Sequence, residues 1–131
     1  NYLKALAIRR RLASANPEAY EPDVAMTLNN LAFLQDDLGR YAEAEQNYLK
    51  ALAIRRRLAS ANPEDYEPDL ADTQLLIALL QIETTNFSEA KKNMTAALNL
   101  YERLEERYSG LYANKINKIR EIIETLQKPK Q

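Results

Sequence analysis

The first 25 residues of the chain recur almost unchanged 46 residues later. From Asn1 to Ala25, only two positions differ from the segment that begins at Asn47. The segment that follows the first copy, residues 26–46, shares little with its counterpart, residues 72–92. A fixed period in this range is typical of repeat proteins whose units stack on their neighbours. The chain is therefore expected to fold as a short array of similar units, each with a copied half and a variable half.

The residues within each period are those that favour helices. The sequence contains two glycines and five prolines, and alanine, leucine, glutamate, lysine, arginine and glutamine fill much of the space between them. No run alternates apolar and polar residues as a half-buried strand does, and no Asn-Gly or Asp-Gly pair marks a hairpin of strands. We therefore predict an all-α fold with about six helices and no strands.

Each period predicts two helices joined by a turn. The first helix is expected to begin at residues 21–23, where a proline lies between two acidic residues that suit a first helical turn. Gly39 ends this helix, and a second helix continues until the Asn-Pro pair at residues 62–63. In the next unit Thr85 takes the place of Gly39. Because a β-branched residue resists the left-handed conformation, we expect the two turns to differ.

The 46-residue register also predicts which helix of the repeat lies at each end of the chain. Tyr112 falls opposite Tyr66 and Tyr20 and predicts a third first helix, which would cap the array with a charged outer face. Asn1 corresponds to Asn47, inside a second helix, so we expect a longer array and self-association through the exposed N-terminal helix. The predicted division is a second helix at 1–16, a repeat at 21–62, a degenerate repeat at 67–108 and a capping helix at 112–128.

The run LNNLAFLQDDLGRYAEAEQNYLKAL, from Leu28 to Leu52, resembles a tetratricopeptide repeat. The long second helix with ALAIRRRL and the long period are similar to the kinesin-light-chain-like subtype that is common in bacterial multidomain proteins. The resemblance implies a right-handed superhelical solenoid of antiparallel helix hairpins. In the second unit Gln74, Thr85 and Met94 replace signature residues, so the two repeats are not expected to bind a ligand equivalently. The signature positions of the first unit are Leu28, Leu31, Ala32, Gly39, Tyr41, Ala44, Tyr48 and Ala51.

The composition leaves little room for catalysis. The sequence has no cysteine and no histidine, and its serines lie in no recognisable nucleophile motif. It contains no phosphate-binding glycine loop and no cluster of metal-binding residues. The adjacent carboxylates Asp36-Asp37 and Glu105-Glu106 point about 100° apart on a helix and are interpreted as solvated surface. We predict that the chain is not an enzyme and needs no metal and no cofactor.

Charge and hydropathy exclude two classes of partner. Lysine and arginine number 18 against 19 acidic residues, so no overall field favours nucleic acid or an anionic membrane. The longest apolar run, Leu75 to Leu80, is too short to cross a bilayer. The arginine triplets at 9–11 and 55–57 could form an anion-binding ribbon, but we favour a solvated edge. The repeated tyrosines are expected to pack in the core rather than stack on nucleic-acid bases. The compartment is left open, with the cytoplasm preferred.

The variable half of the unit is where binding can differ from one repeat to the next. In the family that the sequence resembles, first helices line a concave face that holds peptides or partner helices. An asparagine amide can donate to and accept from a peptide backbone, and an exposed phenylalanine is an apolar anchor. The alternative, that Asn29 and Asn30 only cover a solvated face, stays open. The predicted site residues are Met26, Asn29, Asn30, Phe33, Asp36, Asp37, Leu75, Leu79 and Ile82.

The site residues of the second unit are too apolar for open water, which predicts either burial by the capping helix or a hydrophobic binding strip. The leading hypothesis is a module without catalytic activity that binds a peptide or partner protein. The alternative is an architectural spacer, or a self-association segment of a larger signalling protein.

Overall fold

The structure, a computed structural model, describes residues 2–15 and 17–128. Within these residues it contains six helices and no strand, which confirms the predicted all-α class. They form two compact units, Asn1–Tyr66 and Glu67–Gln131, and α4 begins in the first and continues in the second. The helices are α1 (Tyr2–Ala15), α2 (Pro17–Asp37), α3 (Tyr41–Ala61), α4 (Pro63–Glu83), α5 (Phe87–Arg107) and α6 (Ala113–Gln127).

The helices keep the register of the sequence repeat. α4 begins and ends 46 residues after α2, and α5 begins and ends 46 residues after α3. Each of these four helices has 21 residues. The variable segments, residues 26–46 and 72–92, therefore form the same helices and turn in both units, although they share few residues.

The first helix of each repeat begins four residues earlier than predicted, so the predicted starts at residues 21 and 67 are wrong. Pro17 and Pro63 occupy the first helical position, where the missing N–H has no helical partner to lose. Pro22 and Pro68, to which the prediction gave that role, lie inside the helices. Each unit has two prolines near the start of its first helix, and the helix begins at the first of them in the sequence.

The two hairpin turns have the same backbone conformation, so the prediction that they differ is wrong. Gly39 and Thr85 both have positive φ, 77° and 59°. Each donates its N–H to the carbonyl three residues back, and the next residue donates to the carbonyl five residues back at 2.8 Å in both turns. These are the hydrogen bonds of a Schellman motif. Because they satisfy the last carbonyls of the helix, they hold Thr85 in a conformation that its side chain disfavours.

In the first unit α2 packs against both α1 and α3. Apolar residues three and four positions apart on α2 face the neighbouring helices, and burying each contributes about 1.5–3 kcal/mol. Ala32 on α2 and Ala44 on α3 are fully buried, so the two helix backbones can approach closely. The buried cluster of this unit consists of Leu6 from α1, Val24, Leu28 and Leu31 from α2, and Ala51 from α3.

In the second unit α6 covers the core that α4 and α5 form together. α6 contributes Ile116 and Ile119, which are buried, and Ile122 and Ile123, which are partly buried against the same cluster. The remaining buried members are Ala71 and Ala78 from α4 and Met94, Ala97, Leu100, Tyr101 and Leu104 from α5.

Each repeat has an ion pair between its two helices. Arg57 on α3 pairs with Glu21 on α2, and Arg103 on α5 pairs with Glu67 on α4 at 2.9 Å. Arg9 on α1 likewise donates to a threonine hydroxyl of α2. Arginines from both triplets therefore contact a neighbouring helix. Arg10, Arg11, Arg56 and Arg57 are at the same time exposed, in agreement with the predicted solvated edge. Exposed ion pairs contribute only about 0–1 kcal/mol, so these contacts set register more than stability.

Candidate functional site

Four of the predicted site residues form an outward stripe on α2. Met26, Asn30, Phe33 and Asp37 follow one another at intervals of four, three and four residues, which places them on one helix face. All four are exposed, and the exposed fractions of Met26 and Phe33 are 43% and 52%. The buried Leu28 lies on the opposite face. The stripe thus combines two apolar anchors with an amide and a carboxylate, and none of the four is needed to fill the core.

The other two predicted residues of α2 lie beside this stripe rather than on it. Asn29 and Asp36 are half-buried. Leu34 and Leu38, which were not in the predicted site, are exposed on the other side of the stripe and enlarge its apolar surface. Leucines at helical spacing usually belong to the core, so the sequence pattern alone could not separate these two from Leu28.

In the second unit the predicted residues Leu75, Leu79 and Ile82 lie on α4, and α6 runs beside them. A cleft of about 410 Å³ opens between the two helices. It is lined by Leu75 and Leu79 from α4, by Leu111, and by Asn114, Lys115, Lys118, Ile119 and Ile122 from α6.

A second cleft, of about 440 Å³, follows the same two helices. Leu79 and Ile122 line both clefts, so the two together form one apolar strip, here named the α4–α6 groove. Each volume lies within the usual range of ligand pockets, about 300–1,000 Å³. The second cleft is lined by Leu79, Ile82, Glu121, Ile122, Thr125 and Leu126.

α6 covers the apolar residues on α4 only in part. Leu75 and Ile82 are partly buried against the core that α6 completes, as burial by a capping helix predicts. Leu79 remains 37% exposed on the floor of the groove. α6 therefore covers the strip incompletely and forms its second wall.

A polar cluster adjoins the groove through Lys115. The Tyr101 hydroxyl donates to an Asp72 carboxylate oxygen at 2.5 Å, and the Lys115 ammonium lies 3.5 Å from the same oxygen. Lys115 Nζ is also 5.0 Å from the centroid of the Tyr101 ring, whose centroid is 5.7 Å from that of Tyr112. Lys115 is thus engaged from two sides. Lys118, on the groove wall, forms no ion pair with a residue that the structure describes, so its charge is available to a ligand.

The tyrosines of this cluster are poor acids. Burial raises the pKa of the Tyr101 hydroxyl well above its ordinary value, and its hydrogen bond to Asp72 raises it further. Burial, followed by the charge of Asp72, also raises the pKa of Tyr112. Both phenols therefore stay protonated at neutral pH. The cluster supplies a fixed hydrogen bond beside the groove, but neither phenol is poised as a base or a nucleophile.

The loop before α6 is held by Glu105. Its carboxylate accepts backbone N–H bonds from Gly110 at 2.6 Å and from Tyr112 at 2.8 Å. Arg120 on α6 pairs with Glu102 on α5 at 2.6 Å. The interpretation of Glu105 as solvated surface is therefore wrong, because this carboxylate orients the loop that carries α6. The position of one groove wall depends on it.

The α6 residues of the groove were not among the predicted site residues. Ile119, Ile122 and Leu126 follow one another at intervals of three and four residues, which was a usable signal for a second wall. The difficulty is that several apolar residues of α6 have helical spacing, and only the packing on α5 shows which of them turn toward α4.

Neither a metal centre nor a membrane span is found in the described ranges. No group of three or more acidic side chains within residues 2–15 and 17–128 converges as metal ligands would. The helices of the same ranges also lack the combination of length and hydropathy that a bilayer crossing requires.

Residues 24–65 match the family model of the tetratricopeptide repeat. The match begins inside α2, takes in the whole of α3 and ends in α4. A search of curated proteins gave no match. The resemblance seen in the sequence is thereby confirmed for the hairpin of α2 and α3. Repeats of this family generally mediate interactions between proteins and are typically non-catalytic.

Proposed function

We propose that this chain is a protein-interaction module whose first helices bind an apolar segment of a partner protein. The observation that carries the proposal is the α4–α6 groove, where Leu79 stays partly open to solvent in a cleft of ligand size. An apolar strip with few polar groups at its edge is typical of peptide and helix recognition. The family match of the first hairpin supports the same class of function.

The groove favours a ligand of particular chemistry. A short extended or helical segment would place apolar side chains against Leu79 and Ile122 and a carboxylate near Lys118. On the first unit, the stripe of Met26, Asn30, Phe33 and Asp37 offers a separate surface with an apolar anchor and peptide-binding polar groups. The 46-residue period supports the finer assignment to the kinesin-light-chain-like, bacterial subtype, which remains a prediction.

Peptide selection tests the groove directly. Random peptides displayed on phage are selected on the full chain and then titrated, as synthetic peptides, against Leu79→Asp. A carboxylate on the floor of the groove would have to be desolvated by an apolar ligand and would compete with the ligand's own carboxylate for Lys118, so we expect at least a tenfold loss of affinity, about 1.4 kcal/mol. Leu49→Asp, which alters an exposed leucine of α3, is the matched control and should bind as the parent chain does. Circular dichroism establishes that both variants are folded.

Three results would contradict the groove assignment. One is that no peptide is enriched above background. Another is that the enriched peptides lose equal affinity on Leu79→Asp and Leu49→Asp. The third is loss of binding on Asn30→Ala and Phe33→Ala together, with Leu79→Asp unaffected, which would move the site to the stripe on α2.

A specific observation also supports the alternative of a spacer or self-association segment. Tyr2, Leu3 and Ile8 on α1 are exposed apolar side chains. A chain that serves this role would enrich no peptide and would form larger species as its concentration rises. Sedimentation velocity over a hundredfold range of concentration separates the two functions.

A further inference from the structure

The exposed side chains of α2 follow one another with the spacing of a helix-packing surface. Ala19 and Asp23, both exposed, precede the stripe at intervals of four and three residues. Alternating intervals of three and four residues are those with which one helix packs along another. Among residues 19–37, Leu34 is the one other exposed side chain. The line of exposed residues from Ala19 to Asp37 is here named the extended stripe of α2.

The corresponding positions are also open in the second repeat. They lie 46 residues later on α4, which follows the hairpin of α2 and α3 and precedes α5 and α6 in the chain. Five of the six are exposed, and Leu76 is half-buried. Exposure along this line is therefore common to both repeats, including the one that has helices of the array before and after it. The six residues of α4 are Asp65, Asp69, Asp72, Leu76, Leu79 and Glu83.

The extended stripe of α2 is apolar in the middle and acidic on both sides. Its large apolar side chains are Met26 and Phe33, and both are exposed. Asp23 and Asp37 flank them, and neither carboxylate forms an ion pair with a side chain that the structure describes. Arg9 of α1 donates to the backbone carbonyl of Asp23, and α2 itself contains no lysine or arginine. Two carboxylates without an ion-pair partner favour a ligand with basic residues.

The spacing along the helix axis favours a helical ligand. From Asp23 to Asp37 the helix rises about 21 Å in four intervals, an average of about 5.3 Å for each interval. Side chains on one face of an extended peptide are about 6.6 Å apart, so they would fall about 5 Å out of step over the same four intervals. A second helix has the same rise as α2 and stays in step with it.

We propose that the extended stripe of α2 binds a basic amphipathic helix of a partner protein. The inference rests on the proposed function, because it names the ligand class of one surface to which that function refers. The partner helix carries basic, apolar, amide, apolar and basic side chains in that order, at intervals of three or four residues. They face the acidic, apolar, amide, apolar and acidic residues from Asp23 to Asp37, in either direction. A second copy of α2 would bring carboxylates together at both ends.

The probe is a synthetic helical peptide of about 21 residues, made of alanine and glutamine. Lysine, leucine, asparagine, leucine and lysine interrupt this background at intervals of three, four, three and four residues. The peptide is labelled at its amino terminus and titrated into the full chain by fluorescence anisotropy at low salt. We expect saturable binding below about 1 mM peptide, and at least about tenfold weaker binding of a second peptide in which glutamate replaces both lysines.

An apolar substitution locates the contact on the chain. Phe33→Ala should weaken binding of the lysine peptide at least about fivefold, because it removes the larger of the two apolar anchors. Leu49→Ala is the matched control, since Leu49 is an exposed apolar residue of α3. It should leave binding unchanged.

A charge exchange tests the polar contact separately. Asp37→Lys should weaken binding of the lysine peptide about three- to tenfold at low salt, and it should bind the glutamate peptide more tightly than the parent chain does. α2 ends at Asp37, where a lysine suits the helix dipole, so this variant is expected to fold. Glu106→Lys, at an exposed position of α5, changes the net charge equally and should leave both affinities unchanged.

The peptides selected on the α4–α6 groove are titrated in parallel, so that the two proposals can fail separately. If the groove peptides bind and the lysine peptide does not saturate, the inference is overturned and the proposed function stands. Equal affinity for the lysine and glutamate peptides would overturn it as well. So would binding that Leu79→Asp abolishes and Phe33→Ala leaves intact, because the peptide would then occupy the groove. A dimer of the chain that Phe33→Ala abolishes and that excludes the peptide would identify the occupant as a second copy.

Discussion

The side-chain amide of Asn93 on α5 donates a 2.8 Å hydrogen bond to the side-chain carbonyl of Gln81, near the end of α4. The first repeat has the same bond, also 2.8 Å, between Asn47 on α3 and Gln35 on α2. Asn47 opens the second copy of the repeated phrase. The copied half of the unit is therefore tied to the variable half by a polar contact as well as by apolar packing, and this contact fixes how each first helix is presented.

Asn93→Ala is expected to destabilise the second unit. Gln81 is only 4% exposed, so loss of its donor leaves a buried carbonyl without a partner, at a cost of about 1–3 kcal/mol. Urea unfolding followed by circular dichroism measures the change in free energy of unfolding. Asn99→Ala, at an exposed position of the same helix, is the control and should stay within about 0.5 kcal/mol of the parent chain. Equal effects of the two substitutions would show that the hydrogen bond is not the cause.

Substitutions at the two hairpin turns are expected to change the free energy of unfolding in opposite directions. Thr85→Gly should raise the free energy of unfolding by up to about 1 kcal/mol, because the left-handed penalty of an L-residue exceeds the extra chain entropy that glycine loses. Gly39→Ala should lower it by about 1 kcal/mol for the same reason. A Cβ at Gly39 would meet no atom within 4 Å, so backbone conformation alone sets this cost. Thermal unfolding that shifts in the same direction for both variants would contradict this account.

Much of the fold could be predicted from the sequence because the same pattern of helices and turns recurs in two units. The copied segment fixes α3, and its 46-residue register fixes the lengths of α4 and α5. Two local features could not be predicted in this way. The first is the start of each first helix, since either of two prolines could occupy the first helical position. In α2 this residue is Pro17 and not Pro22. The turn at Thr85 follows the hydrogen bonds of the motif instead of the residue's own preference.

The sequence predicted the candidate site only where the spacing of residues within a single helix determines which side chains are exposed. The spacing of Met26, Asn30, Phe33 and Asp37 is a property of α2 alone, and all four are exposed. The α4–α6 groove depends instead on the rotation of α6 about its axis. That rotation is set by packing on α5 and by Glu105, which holds the loop before α6. No pattern within α6 specifies these contacts.

The buried tyrosine of the second unit predicts alkaline sensitivity. The pKa of Tyr101 is raised above 10.0, first by burial and then by the Asp72 carboxylate, so the unfolded chain releases this proton more readily than the folded chain. The associated stability is fully present below pH 10 and is lost as the pH rises from 10 toward the folded-state pKa. The parent chain should lose up to about 1.4 kcal/mol more per pH unit above pH 10 than Tyr101→Phe does.

Urea unfolding at pH 8 and at pH 10.5–11 measures this difference. At pH 8, Tyr101→Phe should be less stable than the parent chain by about 1.5–3 kcal/mol, since it lacks the hydrogen bond to a charged acceptor. Tyr41→Phe, at an exposed position, is the control. Parallel losses for all three chains above pH 10 would assign the alkaline sensitivity to other groups.

Removal of the Glu105 carboxylate, which holds the loop before α6, is expected to open α6 locally. Glu105→Ala removes the acceptor of two backbone N–H groups, Gly110 and Tyr112, at a cost of about 1.5–3 kcal/mol for bonds to a charged group. Hydrogen exchange of the amides in residues 113–127 should accelerate about tenfold to a hundredfold, while amides of α2 and α3 keep their rates. Glu106→Ala, the neighbouring exposed carboxylate, is the matched control and should leave α6 protected. If both variants protect α6 equally, the loop is held by packing alone. If exchange accelerates in Glu105→Ala and peptide affinity for the groove falls with it, the carboxylate positions one wall of the binding surface as well as the helix end.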